Sequence, residues 1–253
     1  MFLRTGTAAQ ARIAFTDRYG GVSSGPYAEL NLGGHVGDDP AAVLENRHRV
    51  AAALGLDGGR LTFLRQVHGT HVVRVDEPWP SGVEPPEADA VVTATPGLGL
   101  AVLVADCTPV LLADRGSSRA IGAVHAGRRG MAARVVTATV EAMRGLGARP
   151  RHLVAVVGPA ICGACYEVSA EMQEEVVAVA PAARATSRRG APALDIRAGI
   201  TAELIAAGVR TIEAESWCTA ERSSLYSHRR DGVTGRMAGI VHVPEALAAE
   251  LPR

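Results

Sequence analysis

The sequence predicts an α+β fold with a mixed sheet, organised as a single domain over residues 1–253. Hydrophobic residues make up 47% of the 253 residues, which is enough for a substantial core. Short apolar runs typical of buried strands alternate irregularly with capped helices, without the regular rhythm of a doubly wound parallel sheet. No G-x-G-x-x-G or Walker-type loop occurs, so a dinucleotide-binding sheet is disfavoured.

Capping residues mark the predicted helices. Asp39 precedes a first-turn proline and predicts a helix over 40–54. A second helix is predicted over 130–144, and Ser169 and Asp195 are N-caps for two more. The proline-rich segment 77–87 is predicted to be a surface loop, because prolines disfavour both helix and central strand.

Three apolar runs each end on side chains that can bind a metal or act as a nucleophile. One run leads to Asp106 and Cys107, a second leads to His125, and a third segment leads to His68. If the strands before Cys107 and His125 are neighbours in one sheet, the two side chains can face each other and His68 can join them. One thiolate and two imidazoles suit zinc or a related soft-to-borderline ion.

The same residues allow more than one chemistry. Cys107 and His125 can be a thiolate–imidazolium nucleophilic pair or two metal ligands, and the sequence alone leaves both open. Asp106 can orient a ligand imidazole, act as a general acid or base, or cap a turn. Since residues three apart in a strand face opposite sides, at most one of His68 and His71 should enter the site, and the following glycine favours His68.

The charge pattern predicts local anion binding only. Acidic and basic residues balance at 26 each, so no global field attracts nucleic acid or an anionic membrane. All 26 lysine-or-arginine positions are arginine, which favours bidentate recognition of phosphate where arginine lines a site. For most surface positions, a coding bias against lysine explains the same composition. Arg128 and Arg129 lie at a predicted helix start, and Arg229 and Arg230 form a second basic turn. No apolar stretch reaches the roughly 18 residues that a membrane span requires.

Four cysteines occur, and no hydrophobic leader follows Met1, so reduced thiols in a cytoplasmic protein are expected. Cys162 and Cys165 have the C-x-x-C spacing of redox and zinc sites. A zinc ribbon needs a second cysteine pair, which the sequence lacks. The pair is therefore interpreted first as packing and second as a redox pair, and Cys218 has no evident partner.

Eight motifs, taken in order between Phe15 and Val241, resemble the YfiH-like family, also called laccase-domain, multicopper polyphenol oxidase-like or purine nucleoside phosphorylase-like proteins. The motifs are NLGGHVGD at 31–38, ENR at 45–47, QVHG at 66–69, ADCTPV at 105–110, VHAG at 124–127, GPAI at 158–161, CYEV at 165–168 and RRDGVTGRM at 229–237. One departure is that Arg128 stands where the family usually has tryptophan, so base stacking by that indole is not carried over.

The resemblance implies a layered α/β/β/α sandwich and a zinc ion held by His68, Cys107 and His125, with copper as the alternative ion. It implies purine nucleosides and phosphate as partners: phosphorolysis of adenosine, inosine and methylthioadenosine, and deamination of adenosine. Cys107, His125 and Asp106 are the candidate catalytic residues. The candidate substrate- and phosphate-binding residues are Asn31, Arg47, Gln66, Arg129, Arg229 and Arg230.

Three other functions stay open at this point. A metal-free hydrolase would use Cys107 as nucleophile and His125 as base, as in deamidating toxin domains of similar fold. A non-enzymatic reading is a structural zinc module, with Cys162 or Cys165 as fourth ligand, or an accessory factor in peptidoglycan precursor editing. A laccase is disfavoured, because the chain has eight histidines and no His-x-His pair for several copper ions.

Overall fold

The computed structural model describes residues 1–80 and 83–245, which form thirteen strands and six helices. The strands are β1 (Phe2–Ala8), β2 (Ala11–Thr16), β3 (Leu61–Thr62), β4 (Val72–Arg74), β5 (Ala90–Thr93), β6 (Gly99–Val104), β7 (Thr108–Asp114), β8 (Ile121–Ala126), β9 (Leu153–Val157), β10 (Arg184–Thr186), β11 (Pro192–Leu194), β12 (Thr211–Ala214) and β13 (Met237–His242). The helices are α1 (Pro40–Ala53), α2 (Arg128–Ala132), α3 (Val135–Gly145), α4 (Ala170–Val179), α5 (Ile196–Ala206) and α6 (His228–Asp231). Positions 81–82 of the loop predicted at 77–87 lie outside the described residues.

The strands form two larger sheets and one hairpin. The first sheet has the order β1-β2-β13-β6-β3, the second has the order β12-β9-β7-β8-β5-β4, and β10 pairs with β11. Both large sheets are mixed. In the first, β3 runs parallel to β6 while β13 runs antiparallel to it; in the second, β9 is parallel to β12 and antiparallel to β7. The predicted α+β class with mixed sheets is confirmed.

Apolar side chains divide the molecule into four layers. Phe15 of the first sheet and Leu111 of the second lie in one cluster of fully buried residues between the sheets. On the outer face of the first sheet, Val50 of α1 packs in a cluster with Ile240 of β13. On the outer face of the second sheet, Val140 of α3 belongs to a cluster that includes α2 and α5. The α/β/β/α layering is therefore confirmed, and burial of each such side chain contributes roughly 1.5–3 kcal/mol.

Local capping explains where the longer helices begin. Side chains of Asp39, Ser169 and Asp195 each accept a hydrogen bond from a backbone N–H of the first helical turn, as predicted. The single helix predicted over 130–144 is wrong, because α2 and α3 are separated at Arg134, which has the left-handed φ of +66°. Among the helices of the described residues, none combines the length and apolar character needed to cross a bilayer.

His242 ends β13 as a buried and unpaired imidazole. It is 2% exposed, and both ring nitrogens lack a hydrogen-bond partner among the described residues. Burial, together with the positive charge of Arg12, lowers the pKa of His242 from 6.5 to about 4. The unfolded chain therefore binds an extra proton between those pH values. The free energy of unfolding should accordingly fall as pH decreases through this window.

We expect His242→Leu to remove this acid sensitivity. Between pH 7.5 and 4.5 the wild-type chain should lose about 2–3 kcal/mol more unfolding free energy than the variant, because the substituted side chain cannot take up a proton. Urea unfolding of both proteins at the two pH values measures the difference. An equal loss in both proteins would show that His242 does not titrate on unfolding.

Candidate active site

Cys107 lies where the chain crosses from one large sheet to the other. β6 ends at Val104 in the first sheet, and β7 begins at Thr108 in the second. The prediction from the sequence requires the strands before Cys107 and His125 to lie side by side in one sheet. The structure differs, because these strands, β6 and β8, lie in different sheets. Cys107 reaches His125 by another route: β7 pairs antiparallel with β8, and its Pro109 stands opposite His125.

One thiol and two imidazoles converge at this crossing. The candidate ligand atoms of His68, Cys107 and His125 all lie within 4.8 Å of one another. Cys107 Sγ is 3.8 Å from His68 Nε2, and the two histidine rings meet edge to face with centroids 4.8 Å apart. His71 is outside this group, and its ring contacts the carbonyl of Glu87. The three side chains form a group that can hold a metal ion.

Asp89 positions both histidines. Its side chain is fully buried, and Oδ1 lies 2.8 Å from His125 Nδ1 and accepts the backbone N–H of His68 at 2.9 Å. Oδ2 accepts the backbone N–H groups of Gly69 at 2.6 Å and Val67 at 3.2 Å. These bonds support His68 in its left-handed conformation, with φ of +60°. They also engage Nδ1 of His125, so that Nε2 is the ring atom available to a ligand.

The charges of the cluster reinforce one another. Burial alone would raise the pKa of Cys107, but the adjacent His125 charge and hydrogen bonds with both imidazoles outweigh it and lower the pKa to about 6. Burial alone would lower the pKa of His125, but the Cys107 thiolate and the Asp89 carboxylate raise it to about 9. With no ion bound, the pair is therefore a thiolate beside an imidazolium at neutral pH.

Asp106 links the segment between β6 and β7 to α6 and to the loop that precedes α6. Its backbone adopts φ of +90°, and its Oδ1 accepts hydrogen bonds from the hydroxyls of Thr219 at 2.6 Å and Ser227 at 2.7 Å. Its Oδ2 accepts the backbone N–H of Arg229 at 2.6 Å. This matches the capping role considered from the sequence. The residue that holds the His125 imidazole is Asp89, whereas general acid or base catalysis by Asp106 stays a prediction.

A cavity of about 380 Å³ opens beside the cluster. The three candidate ligands and Asp106 line it together with other polar and apolar side chains, among them His35, Gln66, Ile161, Tyr166, Arg128, Arg229 and Arg236. Three guanidinium groups next to aliphatic and aromatic side chains suit a ligand that carries both negative charge and an apolar part.

Two of the predicted substrate-binding residues lie on the cavity wall. Arg229 donates from Nη1 to the Glu167 carbonyl at 2.9 Å, and its guanidinium carbon is 5.0 Å from the centre of the Tyr166 ring. Gln66 pairs its side-chain amide with both the N–H and the carbonyl of Leu103, at 2.7 and 2.8 Å. Arg229 can therefore present its charge to a ligand, whereas the Gln66 amide serves to hold the end of β6.

The side chains of Asn31 and Arg47 stabilise the loop at 31–38, which carries the first family motif. The Asn31 side chain exchanges hydrogen bonds with the backbone of Gly33 and accepts the backbone N–H of Arg236. Arg47 donates to the Leu32 carbonyl at 2.9 Å, and burial lowers its pKa to about 10. Both residues lie outside the cavity lining of the described chain. Their contacts shape the loop that ends next to the site.

Arg129 and Arg230 also lie outside that lining within the described residues. The Arg230 guanidinium donates to the carbonyls of Thr219 and Leu225, so it stabilises the loop that precedes α6. Arg129 is exposed on α2, while its neighbour Arg128 lines the cavity. Arg128, at the position where the resemblance implies tryptophan, therefore adds a guanidinium group to the cavity wall.

Comparison with known proteins identifies the family of the chain. A family model described as multi-copper polyphenol oxidoreductase laccase matches residues 12–244. The chain belongs to this laccase family. Its resemblance to YfiH-like proteins is confirmed, since a YfiH protein of Bacillus licheniformis has 32% identity and a TM-score of 0.85 over 92% of this chain and 93% of that one.

Other similar proteins align with nearly the whole chain. A Neisseria meningitidis structure has 37% identity and a TM-score of 0.86, and YlmD of Geobacillus stearothermophilus has 30% identity and a TM-score of 0.88; each alignment covers 96% of this chain and 99% of the other. A Streptomyces griseus protein named purine nucleoside phosphorylase is 54% identical over 231 residues, covering 91% of this chain and 94% of that protein. The names of such relatives support an enzyme.

Proposed function

We propose that the chain is a zinc-dependent purine nucleoside phosphorylase that cleaves adenosine, inosine and methylthioadenosine with phosphate and also deaminates adenosine. The observation that carries the proposal is the convergence of His68, Cys107 and His125 on one wall of a cavity whose other walls carry guanidinium groups. The name of the Streptomyces griseus relative supports the substrate class.

The three side chains fit zinc. Zinc takes sulfur at about 2.3 Å and imidazole nitrogen at about 2.0–2.1 Å in a tetrahedron, so its ligand atoms stand roughly 3.5 Å apart. The 3.8 Å between Cys107 Sγ and His68 Nε2 is close to that spacing. The bond between Asp89 and His125 is the carboxylate–histidine arrangement that orients imidazole ligands of zinc. When held by three protein ligands, zinc supplies Lewis acidity and an open coordination position.

The remaining residues of the cavity bind and orient the reactants. We assign phosphate to Arg229, with Arg128 and Arg236 as further cationic partners on the same walls. Tyr166 offers an aromatic surface against which a purine or ribose can lie. Asp106 is the candidate for moving a proton to and from the adenosine amino group during deamination, and its bonds to two hydroxyls hold the carboxylate in place.

An assay with adenosine tests the proposal directly. Purified chain with adenosine and phosphate should yield adenine and ribose 1-phosphate, and omission of phosphate should leave only the formation of inosine. Cys107→Ala should abolish both reactions, because a zinc ligand is lost. Turnover of the variant equal to that of the wild type would remove Cys107 from the mechanism.

A metal-free cysteine hydrolase is the second candidate, favoured by the lowered pKa of Cys107 beside His125. Metal analysis of a Cys162→Ser, Cys165→Ser variant separates the two, since a stoichiometric ion on His68, Cys107 and His125 leaves no free thiolate. If His68, Cys107 and His125 formed a structural zinc site, Cys162 or Cys165 would have to lie next to them as the fourth ligand. These two cysteines belong to a different group of side chains.

We expect Arg229→Gln to raise KM for phosphate by roughly 10- to 100-fold, because a hydrogen bond to a charged group contributes about 1.5–3 kcal/mol. KM for the nucleoside should change far less. Initial rates at varied phosphate measure the effect, and Arg144→Gln, on the exposed side of α3, is the matched control. A phosphate KM that rises in Arg129→Gln and stays constant in Arg229→Gln would move the anion site to the start of α2.

A further inference from the structure

A second group of potential metal ligands lies apart from the first and consists of Cys162, Cys165, Cys218 and Glu221. Their candidate ligand atoms all lie within 4.8 Å of one another. Cys165 Sγ is 3.2 Å from Glu221 Oε1, and Cys162 Sγ is 3.9 Å from the same oxygen. The three cysteines are free thiols. The Glu221 carboxylate supplies a fourth potential ligand beside the three sulfurs, which neither packing nor a redox pair requires.

The parallel pairing of β9 with β12 builds this cluster. Both strands lead into loops at the same edge of the second sheet, and one loop carries Cys162-x-x-Cys165 while the other carries Cys218-x-x-Glu221. Ala160 and Cys218 form an isolated bridge between the loops. The sequence interpretation that Cys218 has no partner is therefore wrong. Cys162 and Cys165 are more than fifty residues away from Cys218 in the sequence. The nearby partner, Glu221, stands where a second C-x-x-C motif would have its cysteine.

We propose that these four side chains bind one thiophilic divalent cation, zinc, in a closed structural site. Four protein ligands from two C-x-x-C-like pairs match the structural class of zinc sites, which leave no position for substrate. Binding would displace the thiol protons and form metal–sulfur bonds without any redox change. The backbone N–H of Cys162 donates to Cys218 Sγ at 3.3 Å, as is expected around a thiolate ligand.

The surrounding charge suits such a site. Three thiolates and a carboxylate on a divalent cation carry a net negative charge, and Arg188 forms an ion pair with Glu221. Gly163 makes the tight turn between the two cysteines possible, since a Cβ there would stand 2.9 Å from the Cβ of Asp195. The half-buried Cys162 and Cys165 leave a path for an ion to enter.

The proposed site adjoins the active-site cavity through sequence neighbours of its ligands. Ile161 and Tyr166, which line the cavity, directly flank Cys162 and Cys165. Thr219, which follows Cys218, donates to Asp106. The ion would therefore brace two segments that shape the cavity. We expect its loss to reduce thermal stability and raise KM for the nucleoside more than it lowers kcat.

Metal content of the full chain tests the proposal. After zinc loading and dialysis, mass spectrometry should find about two zinc ions per wild-type chain, and about one in a His68→Ala, Cys107→Ala variant. A Cys162→Ser, Cys165→Ser variant should also retain about one ion, held at the active site. The inference is overturned if the His68→Ala, Cys107→Ala variant binds no zinc, or if Cys162 and Cys165 form a disulfide in protein purified under reducing conditions.

Cobalt substitution gives a second, spectroscopic readout. In the His68→Ala, Cys107→Ala variant, cobalt should produce an intense near-ultraviolet charge-transfer band from three thiolates, and Glu221→Gln added to this variant should shift its visible bands. Absence of the charge-transfer band would contradict the proposal. A wild-type chain with one ion, located at this cluster, would support the inference while defeating the proposed zinc-dependent activity, so the two failures are distinguishable.

Discussion

Asp89→Asn should weaken zinc binding at the active site by roughly 10- to 100-fold and lower activity at least as much, although the substitution preserves size and shape. The carboxylate accepts from His125 and from three backbone N–H groups, at His68, Val67 and Gly69. An amide has only one acceptor oxygen, so its NH₂ group must face two of these donors.

Either orientation of the amide is unfavourable. If NH₂ faces Val67 and Gly69, two partly buried donors lose their acceptor, and the turn that carries His68 loosens. If NH₂ faces His125, Nδ1 must accept and the ring proton moves to Nε2. That proton occupies the lone pair on which metal binding depends.

Competition with a chromophoric zinc chelator measures the change in affinity, and phosphorolysis of adenosine measures activity. Asp57→Asn is a matched control, since Asp57 is exposed and its side chain caps nothing. Wild-type zinc affinity in the Asp89→Asn variant would show that the imidazoles are positioned by other contacts.

Gly127→Ala should reduce activity by about two orders of magnitude while leaving the fold intact, because misplacing reacting groups by about 1 Å has an effect of that size. A Cβ at this position would stand 2.8 Å from Cys107 Sγ and 3.1 Å from His68 Cδ2. Ordinary contacts between carbon and such atoms need about 3.5–4.0 Å, so the side chains of Cys107 and His68 must both move. The backbone itself accepts alanine, since Gly127 has φ of −83°.

Zinc content, thermal unfolding and adenosine phosphorolysis together test this prediction. Gly145→Ala is the matched control: a Cβ there meets no atom within 4 Å, and the change should be neutral or slightly stabilising. Full activity in Gly127→Ala would mean that Cys107 and His68 can shift without harm, which contradicts a metal site of fixed geometry.

Local signals explain which parts of the fold were predictable. The caps Asp39, Ser169 and Asp195 act within one helical turn, so their helices could be located from the sequence. Sheet order depends on pairings between distant segments, such as β13 between β2 and β6, and no local pattern encodes it. The break at Arg134 was missed because a left-handed residue is usually signalled by glycine or asparagine.

For the candidate site too, residues with a local sequence signal could be predicted, and residues placed by long-range contacts could not. His68, Cys107 and His125 were found because each ends an apolar run, a feature visible in the sequence. Asp89 was not predicted, although the sequence carries a signal for it. It is the single acid in a run of buried residues that begins at Ala88 and continues through β5, and an acid in such a run indicates a buried charge that is paired. Glu221 gave no signal, because its role depends on the β9 and β12 loops meeting.

Anomalous diffraction from crystals of the zinc-loaded chain tests the central claim most directly. The account predicts a peak at the zinc edge about 2.3 Å from Cys107 Sγ and about 2.0–2.1 Å from Nε2 of both His68 and His125, with a coordination position open to the cavity. An empty map at this crossing in crystals that hold zinc elsewhere, or three side chains that bind no common ion, would contradict it.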